Sequence, residues 1–355
     1  MKKEISERIY VISFFMTCII AMYHCGDGRI EPINSVDYKL FDICSRAMET
    51  LAGLAMSSFF AVTGFLFFYN FDKNAYYTKV KKRIITLLIP YVIWQIIYAM
   101  PIVFSGKLSF GYIVGFIKTV FLLDGFPPNG PLWYLYAIFI LAILAPAIWL
   151  IVRKKNGGLV AVFTCICAIS ILTSLNLEVI KNIISYGYIE NIVRYFPAYL
   201  LGAYFGYHEE QIQNEERVKM WVLLILGALL MDAVVAGFFK NFAYRILPLF
   251  MLYYFPITVA VKELRIIGSS FLIYALHYFI DGYLTPHIRN IIMYITDYAW
   301  IVNIVGRVLS LIVVLVLAFI MWIVLSRICP WVLRVITGDR VKQYAKPNKK
   351  TVTIN

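Results

Sequence analysis

The stretch "VLSLIVVLVLAFIMWIVLS", residues 308–326, runs for 19 positions without a charged side chain. An α-helix of that length spans about 28 Å, close to the roughly 30 Å thickness of a bilayer's hydrocarbon core. A barrel strand that faces lipid would alternate apolar and polar residues, because its two faces meet different surroundings. The stretch therefore predicts a transmembrane helix.

The same apolar character extends along the whole chain. Of its 355 residues, 61% are hydrophobic and 15% are charged, whereas soluble globular domains have about 45–50% apolar and about 25% charged residues. The formal net charge is +13, but the basic residues form short clusters beside apolar runs, which is typical of membrane orientation rather than of nucleic-acid binding. We predict an all-α, polytopic membrane protein, surrounded by membrane lipid and without a nucleic-acid partner.

Apolar runs recur from one end of the chain to the other. Lys2 and Lys3 precede the first run as in a secretory signal peptide, but Tyr23 and His24 stand where a cleavage site needs small residues, so we predict an uncleaved first span. In total the runs predict about ten transmembrane helices, at residues 9–25, 51–70, 84–104, 131–152, 158–175, 189–207, 219–238, 243–261, 267–287 and 300–326.

The basic clusters predict the orientation. "KVKKR" at 79–83 and "RKK" at 153–155 both face the cytoplasm if the chain crosses ten times with both termini inside. The shorter apolar stretch 110–123 is then a helix in the outer interface; the alternative is an eleventh crossing, which would invert every later loop. In this prediction residues 1–335 form one membrane domain, and a basic cytoplasmic tail follows at 336–355.

A histidine in "CIIAMYHCGDG", residues 18–28, lies at the end of the first predicted span. This residue, His24, follows Arg8 by sixteen positions, which is about 24 Å along a helix and places it in the outer third of the membrane. Two interpretations stay open. His24 is either an interfacial histidine that hydrogen-bonds a neighbouring helix, or a base that takes a proton from a hydroxyl.

Other polar groups also have more than one interpretation. The cluster that contains Lys81, Lys82 and Arg83 is either an orientation signal or a cytoplasmic site for a phosphorylated ligand. The small residues in "SSFFAVTGFLFF", 57–68, predict close helix packing. His208 opens the acidic stretch "HEEQIQNEER", which we predict to be a solvated loop.

Few ionisable residues fall inside the predicted spans. Glu190 and Arg194 are four positions apart in the sixth span and are predicted to pair. His277 lies on the ninth span, in "SFLIYALHYFI". The six cysteines are scattered without the spacing of metal ligands, so we predict no metal site.

Taken in order, these stretches resemble the acyltransferase-3 family of integral-membrane O-acyltransferases, which modify sugars and other hydroxylated surface molecules. The family's first span ends in a histidine, as "AMYHCG" does, and its second carries a phenylalanine pair followed by Ser-Gly, where this chain has "FFAVTGF". A basic cluster then leads into a Pro-Tyr span, as in "KKRIITLLIPY". A Leu-Trp start, "PLWYL", and a Ser-Phe…Tyr…His stretch, "SFLIYALH", follow later. The resemblance covers nearly the whole chain.

This chain departs from the family pattern at two places. The family usually has an arginine, ten residues and then the histidine, but counting back from His24 the arginine position is Ser13. Many members also have Arg-Asp where this chain has Tyr136 and Ala137. Arg8, about 7.5 Å of helix rise from the arginine position, is the candidate substitute.

The resemblance implies transfer of an acyl group, with acetyl expected, from cytoplasmic acyl-CoA to a hydroxyl of a cell-surface glycan or glycolipid. His24 is then the general base, and His277 is the second candidate for a catalytic residue. Acyl-CoA is a substrate here, and no permanently bound cofactor is expected. The machinery of polysaccharide synthesis is a candidate partner, and the location is the bacterial cytoplasmic membrane. The residues expected to hold the donor are basic: Lys81, Lys82, Arg83 and Arg8.

The main alternative is a transporter or flippase for a polysaccharide or a lipid-linked intermediate. Such proteins place charges along a path through the membrane and often contain paired broken helices from an internal repeat. This chain shows no convincing repeat and has few charges within its predicted spans, of which Asp232, Arg194 and Arg307 are the clearest. The sequence therefore favours the enzyme.

Overall fold

The computed structural model describes residues 3–26, 30–106, 109–121, 125–174, 187–257 and 264–339. Every regular element in those ranges is helical, so the all-α prediction is confirmed. The α-helices are α1 (Lys3–His24), α2 (Ser35–Phe68), α3 (Tyr76–Arg83), α4 (Ile89–Phe104), α5 (Phe110–Val120), α6 (Trp133–Ile143), α7 (Ala145–Val152), α8 (Lys155–Ser174), α9 (Gly187–Tyr207), α10 (Asn214–Asp232), α11 (Phe238–Tyr254), α12 (Ser270–Tyr283), α13 (Thr285–Met293), α14 (Ala299–Ile328) and α15 (Pro330–Thr337).

Each of the ten predicted spans overlaps a helix, but these helices differ in length and apolarity. Within the described ranges, five helical stretches are long and apolar enough to cross a membrane: α1, α2, Tyr76–Phe104, Lys155–Leu172 and α14. The pair Gly130–Ile143 and Ala145–Val152 is bent by 67° and makes a sixth if it is one broken span. Ten crossings, with both termini in the cytoplasm, stay a prediction.

The other predicted spans are shorter or carry charge. α11 and α12 have 17 and 14 residues, α9 contains Glu190 and Arg194, and α11 contains Arg245. Charged groups inside a membrane protein face cavities or one another rather than lipid. Arg194 and Arg245 both line an internal cavity, which explains why these helices are less apolar than α14.

Two breaks in the predicted spans lie at prolines. Pro90 follows a π-helical turn, Ile84–Leu88, that joins α3 to α4, and Pro146 follows the bend between α6 and α7. Proline has no backbone N–H and its ring crowds the preceding turn, so regular helical hydrogen bonding is interrupted at both sites.

The helix predicted at 110–123 is short. α5 has 11 residues and is about 16 Å long, roughly half the thickness of the hydrocarbon core. This length argues against the eleventh crossing and agrees with a helix in the membrane interface.

α2 and α9 cross at the centre of the molecule with their backbones in contact. Gly64 of α2 lies against the carbonyl oxygen of Tyr199, and a Cβ there would collide with it. Gly202 and Gly206 of α9 lie in the same way against backbone carbonyls of α2. Because glycine has no side chain, the two helices approach more closely than side chains would allow. The close packing predicted from 57–68 is confirmed.

α1, α11 and α14 pack around this crossing, and α12 packs between α1 and α14. The starts of α2 and α14 are joined by Asp37, which is buried. Its carboxylate accepts hydrogen bonds from the backbone N–H groups of Ala299 and Trp300 at 3.0 and 3.1 Å. α1, the helix that ends in His24, packs against four of these helices: α2, α11, α12 and α14.

The acidic stretch after α9 is only partly solvated. The prediction of a solvated loop holds for its exposed residues, Glu210, Gln211, Gln213, Asn214 and Glu215, and is wrong for His208, Glu209 and Arg217, which are buried. His208 is 2% exposed and Glu209 is 6% exposed. His208 Nε2 lies 2.8 Å from the carbonyl oxygen of Val152. Glu209 pairs with Arg217 at 3.5 Å and accepts a hydrogen bond from the Tyr253 hydroxyl. Charged residues can be buried when each one finds a partner, and hydropathy along the sequence does not reveal those partners.

α15 runs through the predicted boundary at 335/336. Trp94 donates its indole N–H to the carbonyl oxygen of Ile336 at 2.9 Å, and Gly338 lies against the backbone of Thr86. Residues 340–355 lie outside the described ranges, so the division into a membrane domain and a basic tail stays a prediction.

A methyl group added at Gly64 tests the central crossing. Gly64→Ala should lower the free energy of unfolding by about 1–3 kcal/mol, because the helices must move apart to accept the new Cβ. Gly53→Ala on the same helix is the control, since nothing lies within 4 Å of a Cβ at that position and alanine favours a helix. The measurement is the melting temperature of each detergent-solubilised variant. Equal melting temperatures would contradict the importance of this contact.

Candidate active site

A cavity of about 920 Å³ lies where α1, α2, α9, α11 and α12 meet. Its volume is in the upper part of the range for small-molecule sites, about 300–1,000 Å³. In the predicted orientation it opens to the outside, because α1 ends there. Its lining is largely aromatic and polar, and includes Tyr23, His24, Ser57, Trp133, Asn191, Arg194, Tyr195, Lys240, Arg245 and Tyr278.

His24, the last residue of α1, lies in the wall of this cavity. Its ring centre lies 5.3 Å from that of His277 on α12 and 5.9 Å from that of Tyr278. The fold thus brings together the two histidines predicted as catalytic residues, although they belong to helices near opposite ends of the chain. A hydroxyl group bound in the cavity can reach an imidazole here.

His277 is fully buried, with 0% of its surface exposed. Its Nδ1 lies 2.8 Å from the carbonyl oxygen of Tyr274, and because a carbonyl can only accept, Nδ1 carries the hydrogen. Nε2 is buried and has no hydrogen-bond partner among the described residues. In the neutral ring this nitrogen keeps its lone pair. The nitrogen is therefore available to accept a hydrogen bond from a group that comes close to it.

Two arginines hold the end of α1 that carries His24. Arg307 of α14 donates from Nη1 to two carbonyl oxygens in the last turn of α1, at 2.8 and 2.6 Å. Arg289 of α13 donates from Nη2 to the carbonyl oxygen of Cys25 at 2.8 Å. The last carbonyls of a helix lack partners within the helix and carry partial negative charge, so cations stabilise that end. These bonds fix the turn from which the His24 side chain extends.

Gly26 makes room for this arrangement. A Cβ at Gly26 would overlap the Arg307 guanidinium, so the arginine can reach the helix end only past a glycine. The sequence analysis identified Arg307 as a charge within a span, but it did not identify Arg289 or Gly26. Two features of the sequence could have indicated this contact. One is a glycine just after a predicted helix, and the other is an arginine in or near an apolar segment, because such an arginine needs a carbonyl or acidic partner.

The predicted donor-binding cations at the end of α3 have different surroundings. Lys81 and Lys82 are exposed, whereas Arg83 is half-buried and its guanidinium lies 5.6 Å from the centre of the Phe67 ring. Lys79, which the sequence analysis did not single out, donates from Nζ to the carbonyl oxygen of Phe67 at 2.8 Å and so caps the end of α2.

Arg8 lies on the first turns of α1 and donates from Nε to the carbonyl oxygen of Phe255 at 3.2 Å. Ser13, at the position of the family's arginine, is half-buried, and its carbonyl accepts a hydrogen bond from the Thr17 hydroxyl at 2.8 Å. Neither Arg8 nor the α3 cluster is among the described residues that line the cavity. Their role in holding a donor stays a prediction.

Two motif stretches meet beside the cavity. The Thr63 hydroxyl lies 2.6 Å from that of Tyr134, which donates to the carbonyl oxygen of Phe59 at 2.9 Å. Because the phenol has one hydrogen, Thr63 is the donor in the first bond. On the same helix as Tyr134, the Tyr136 ring stacks on Tyr91 with centres 5.7 Å apart. Aromatic packing therefore occupies this position, where many members of the resembled family have an arginine.

The cavity contains groups suited to proton transfer. The His24 imidazole lines the wall in contact with the buried His277 ring, Tyr278 lies beside His24, and the Ser57 hydroxyl lines the same cavity. Such an arrangement can remove a proton from a hydroxyl that attacks an electrophile. Across the described parts of the chain, no three His, Cys, Asp or Glu side chains are grouped as metal ligands would be.

Loss of the Arg307 guanidinium should loosen the end of α1. Arg307→Gln removes its bonds to the α1 carbonyls, each worth about 1.5–3 kcal/mol for a charged donor, so the melting temperature should fall and His24 should react faster with diethyl pyrocarbonate. Mass spectrometry of the labelled protein gives the rate at His24. Arg327→Gln, at an exposed position of the same helix, is the control. Unchanged labelling in a folded Arg307→Gln variant would show that His24 does not depend on this contact.

Comparison with known proteins gives one match. The family model described as "Acyltransferase domain", that of the acyltransferase-3 family, matches residues 13–326. No curated protein and no solved structure matches the chain. The matched range contains most of α1, both histidines and every helix that lines the cavity. The chain therefore belongs to the acyltransferase-3 family and is a membrane acyltransferase.

Proposed function

We propose that this protein transfers an acyl group, acetyl in the first instance, from cytoplasmic acyl-CoA to a hydroxyl of a cell-surface glycan or glycolipid. The observation that carries the proposal is the contact between His24, in the wall of a large polar cavity, and the buried His277. The site of action is the bacterial cytoplasmic membrane, and the polysaccharide-synthesis machinery supplies the acceptor.

His24 is the general base in this proposal. Its imidazole takes the proton from the acceptor hydroxyl while that oxygen attacks the thioester carbonyl. The new C–O bond forms, the C–S bond breaks, and the proton held by the imidazole passes to the departing thiolate of coenzyme A. Each atom and each proton is thereby accounted for, and the histidine returns to its neutral state.

His277 positions the His24 ring in this proposal, and it is also the alternative candidate for the general base. Its Nδ1–H is committed to the Tyr274 carbonyl, and its ring lies against that of His24. A buried ring in that position limits the directions that the His24 ring can take. Its Nε2 has no hydrogen-bond partner among the described residues and keeps a lone pair. His277 is therefore the second candidate base, on condition that the acceptor hydroxyl reaches past the His24 ring.

The donor enters from the cytoplasmic side in this scheme. The nucleotide of acyl-CoA is highly charged and cannot enter hydrocarbon, whereas the thin pantetheine arm can pass between helices toward His24. Exposed Lys81 and Lys82 are available to its phosphates, and Arg83 lies deeper, against the Phe67 ring. Arg8 is a weaker candidate, because its Nε is engaged with the Phe255 carbonyl. No observation favours a transporter or flippase.

Replacement of the histidines tests the chemistry. His24→Gln should lower the rate of acyl transfer by about 10²–10⁴-fold, because glutamine keeps a hydrogen bond but cannot carry the proton. His277→Gln should retain more activity. The assay follows labelled acetyl from acetyl-CoA to a glycan in proteoliposomes, and His287→Gln, at an exposed position of α13, is the control. Near-normal transfer by His24→Gln together with loss in His277→Gln would assign the base to His277.

Replacement of the α3 cations tests the donor site. Lys81 and Lys82 changed together to glutamine, with or without Arg83→Gln, should raise the KM for acyl-CoA more than they lower kcat, because phosphate contacts contribute to donor binding before the chemical step. Lys154→Gln, which removes an exposed cation from another basic cluster, is the control. An unchanged KM in a correctly inserted variant would leave the cluster with a role in orientation only.

A further inference from the structure

Arg245 of α11 is a buried cation in the wall of the cavity. Its side chain is 5% exposed, and its Nη1 donates to the Ser170 hydroxyl and to the carbonyl oxygen of Asn241. Its Nε is buried and has no hydrogen-bond partner among the described residues. Within those residues, no carboxylate lies within ion-pair distance of the guanidinium. Neutral oxygen atoms therefore satisfy it only in part.

The cavity around Arg245 is positively charged. Arg194 and Lys240 also line it, and Glu49 is the one acidic side chain among its described lining residues. Arg194 pairs with Glu190 at 2.9 Å on the exposed side of α9, which confirms the predicted pair. That ion pair partly neutralises the charge of Arg194. Arg245 and Lys240 have no acidic partner among the described residues.

A buried charge without a counter-ion is destabilising, and proteins keep such groups mainly where a ligand supplies the opposite charge. A guanidinium offers several N–H donors in one plane, which suits the two oxygens of a carboxylate or the oxygens of a phosphate. Arg245 and His24 line the same cavity, so one bound molecule can meet both groups. We infer that the acceptor is an acidic glycan, whose carboxylate or phosphate binds at Arg245 while its hydroxyl meets His24.

This inference rests on the proposed function and adds the charge of the acceptor to it. It also assigns separate tasks to the two sides of the cavity. The side formed by α1 and α12 carries the imidazoles, and the side formed by α9 and α11 carries the cations. A neutral sugar brings no opposite charge to the guanidinium, whereas an acidic sugar completes its hydrogen bonding and gains affinity from it.

Matched acceptors test the inference. Purified protein in nanodiscs is given acetyl-CoA and one of three oligosaccharides: a glucose polymer, the same polymer with glucuronate, or the same polymer with a sugar phosphate. The expected result is a kcat/KM about 10- to 100-fold higher for an acidic acceptor than for the neutral one, the effect of a charge-assisted hydrogen bond. Preference between glucuronate and phosphate identifies the anion. Equal rates for neutral and acidic acceptors would overturn the inference while leaving acyl transfer established.

Substitution of the cavity cations tests whether they cause the preference for an acidic acceptor. Arg245→Gln should lower kcat/KM for the acidic acceptor by more than for the neutral one, and Arg245→Lys should keep part of the preference. Lys240→Gln, at an exposed position, should weaken the preference without a risk to folding. Arg46→Gln, which removes an exposed cation that pairs with Asp42, is the control. An unchanged preference in both Arg245→Gln and Lys240→Gln would contradict a role for these cations.

A binding measurement separates this inference from the proposed function. If no acceptor is acylated, the melting temperature of the protein is measured with glucuronate, with inorganic phosphate and with glucose. A rise with either anion that is lost in Arg245→Gln supports an anion site, even though the proposed reaction has failed. No rise with either anion overturns the inference.

Discussion

Contact between the backbones of α2 and α9 is the constraint on which the rest of the structure depends. Gly64 on one helix and Gly202 and Gly206 on the other leave no room for a side chain between them. About two turns before this contact, both helices line the cavity, α2 through Ser57 and α9 through Tyr195. The point at which the helices meet therefore limits the depth of the cavity. α1, α11 and α14 pack around the same crossing, so the crossing also determines how far apart the histidines and the cations are held.

Cations in this protein stabilise the ends of two helices. Arg307 and Arg289 bind the last carbonyls of α1, and Lys79 binds those at the end of α2. A helix end in a membrane protein has carbonyls that neither the helix nor lipid can satisfy, and a cation satisfies them and complements the helix dipole. Part of the chain's positive charge thus stabilises the fold, besides any effect on orientation. At α1 the same bonds also position His24.

The cavity combines two electrostatic environments. On one side the imidazoles of His24 and His277 lie in contact beside Tyr278. On the other side Arg245 is held by neutral oxygen atoms, and its Nε has no hydrogen-bond partner in the part of the chain that the structure describes. Charged groups act more strongly when water is partly excluded, so a cation in this position can orient a ligand without entering the proton transfer itself.

The sequence by itself determined the helical class, the approximate place of ten apolar helical stretches, the close packing of 57–68 and the histidine at the end of α1. It did not determine the start of α2 at Ser35, the short helices α3 and α15, or the bend between α6 and α7. The properties that it determined depend on local composition and periodicity, because each segment meets lipid or a neighbour through its own side chains. Tertiary structure alone decided that His24 meets His277, that Arg307 reaches the end of α1, and that His208 and Glu209 are buried. Each of these results depends on a contact with a residue from another part of the chain. Such a partner lowers the free-energy cost of burying a polar group, but it leaves no mark on the hydropathy of the segment that carries that group.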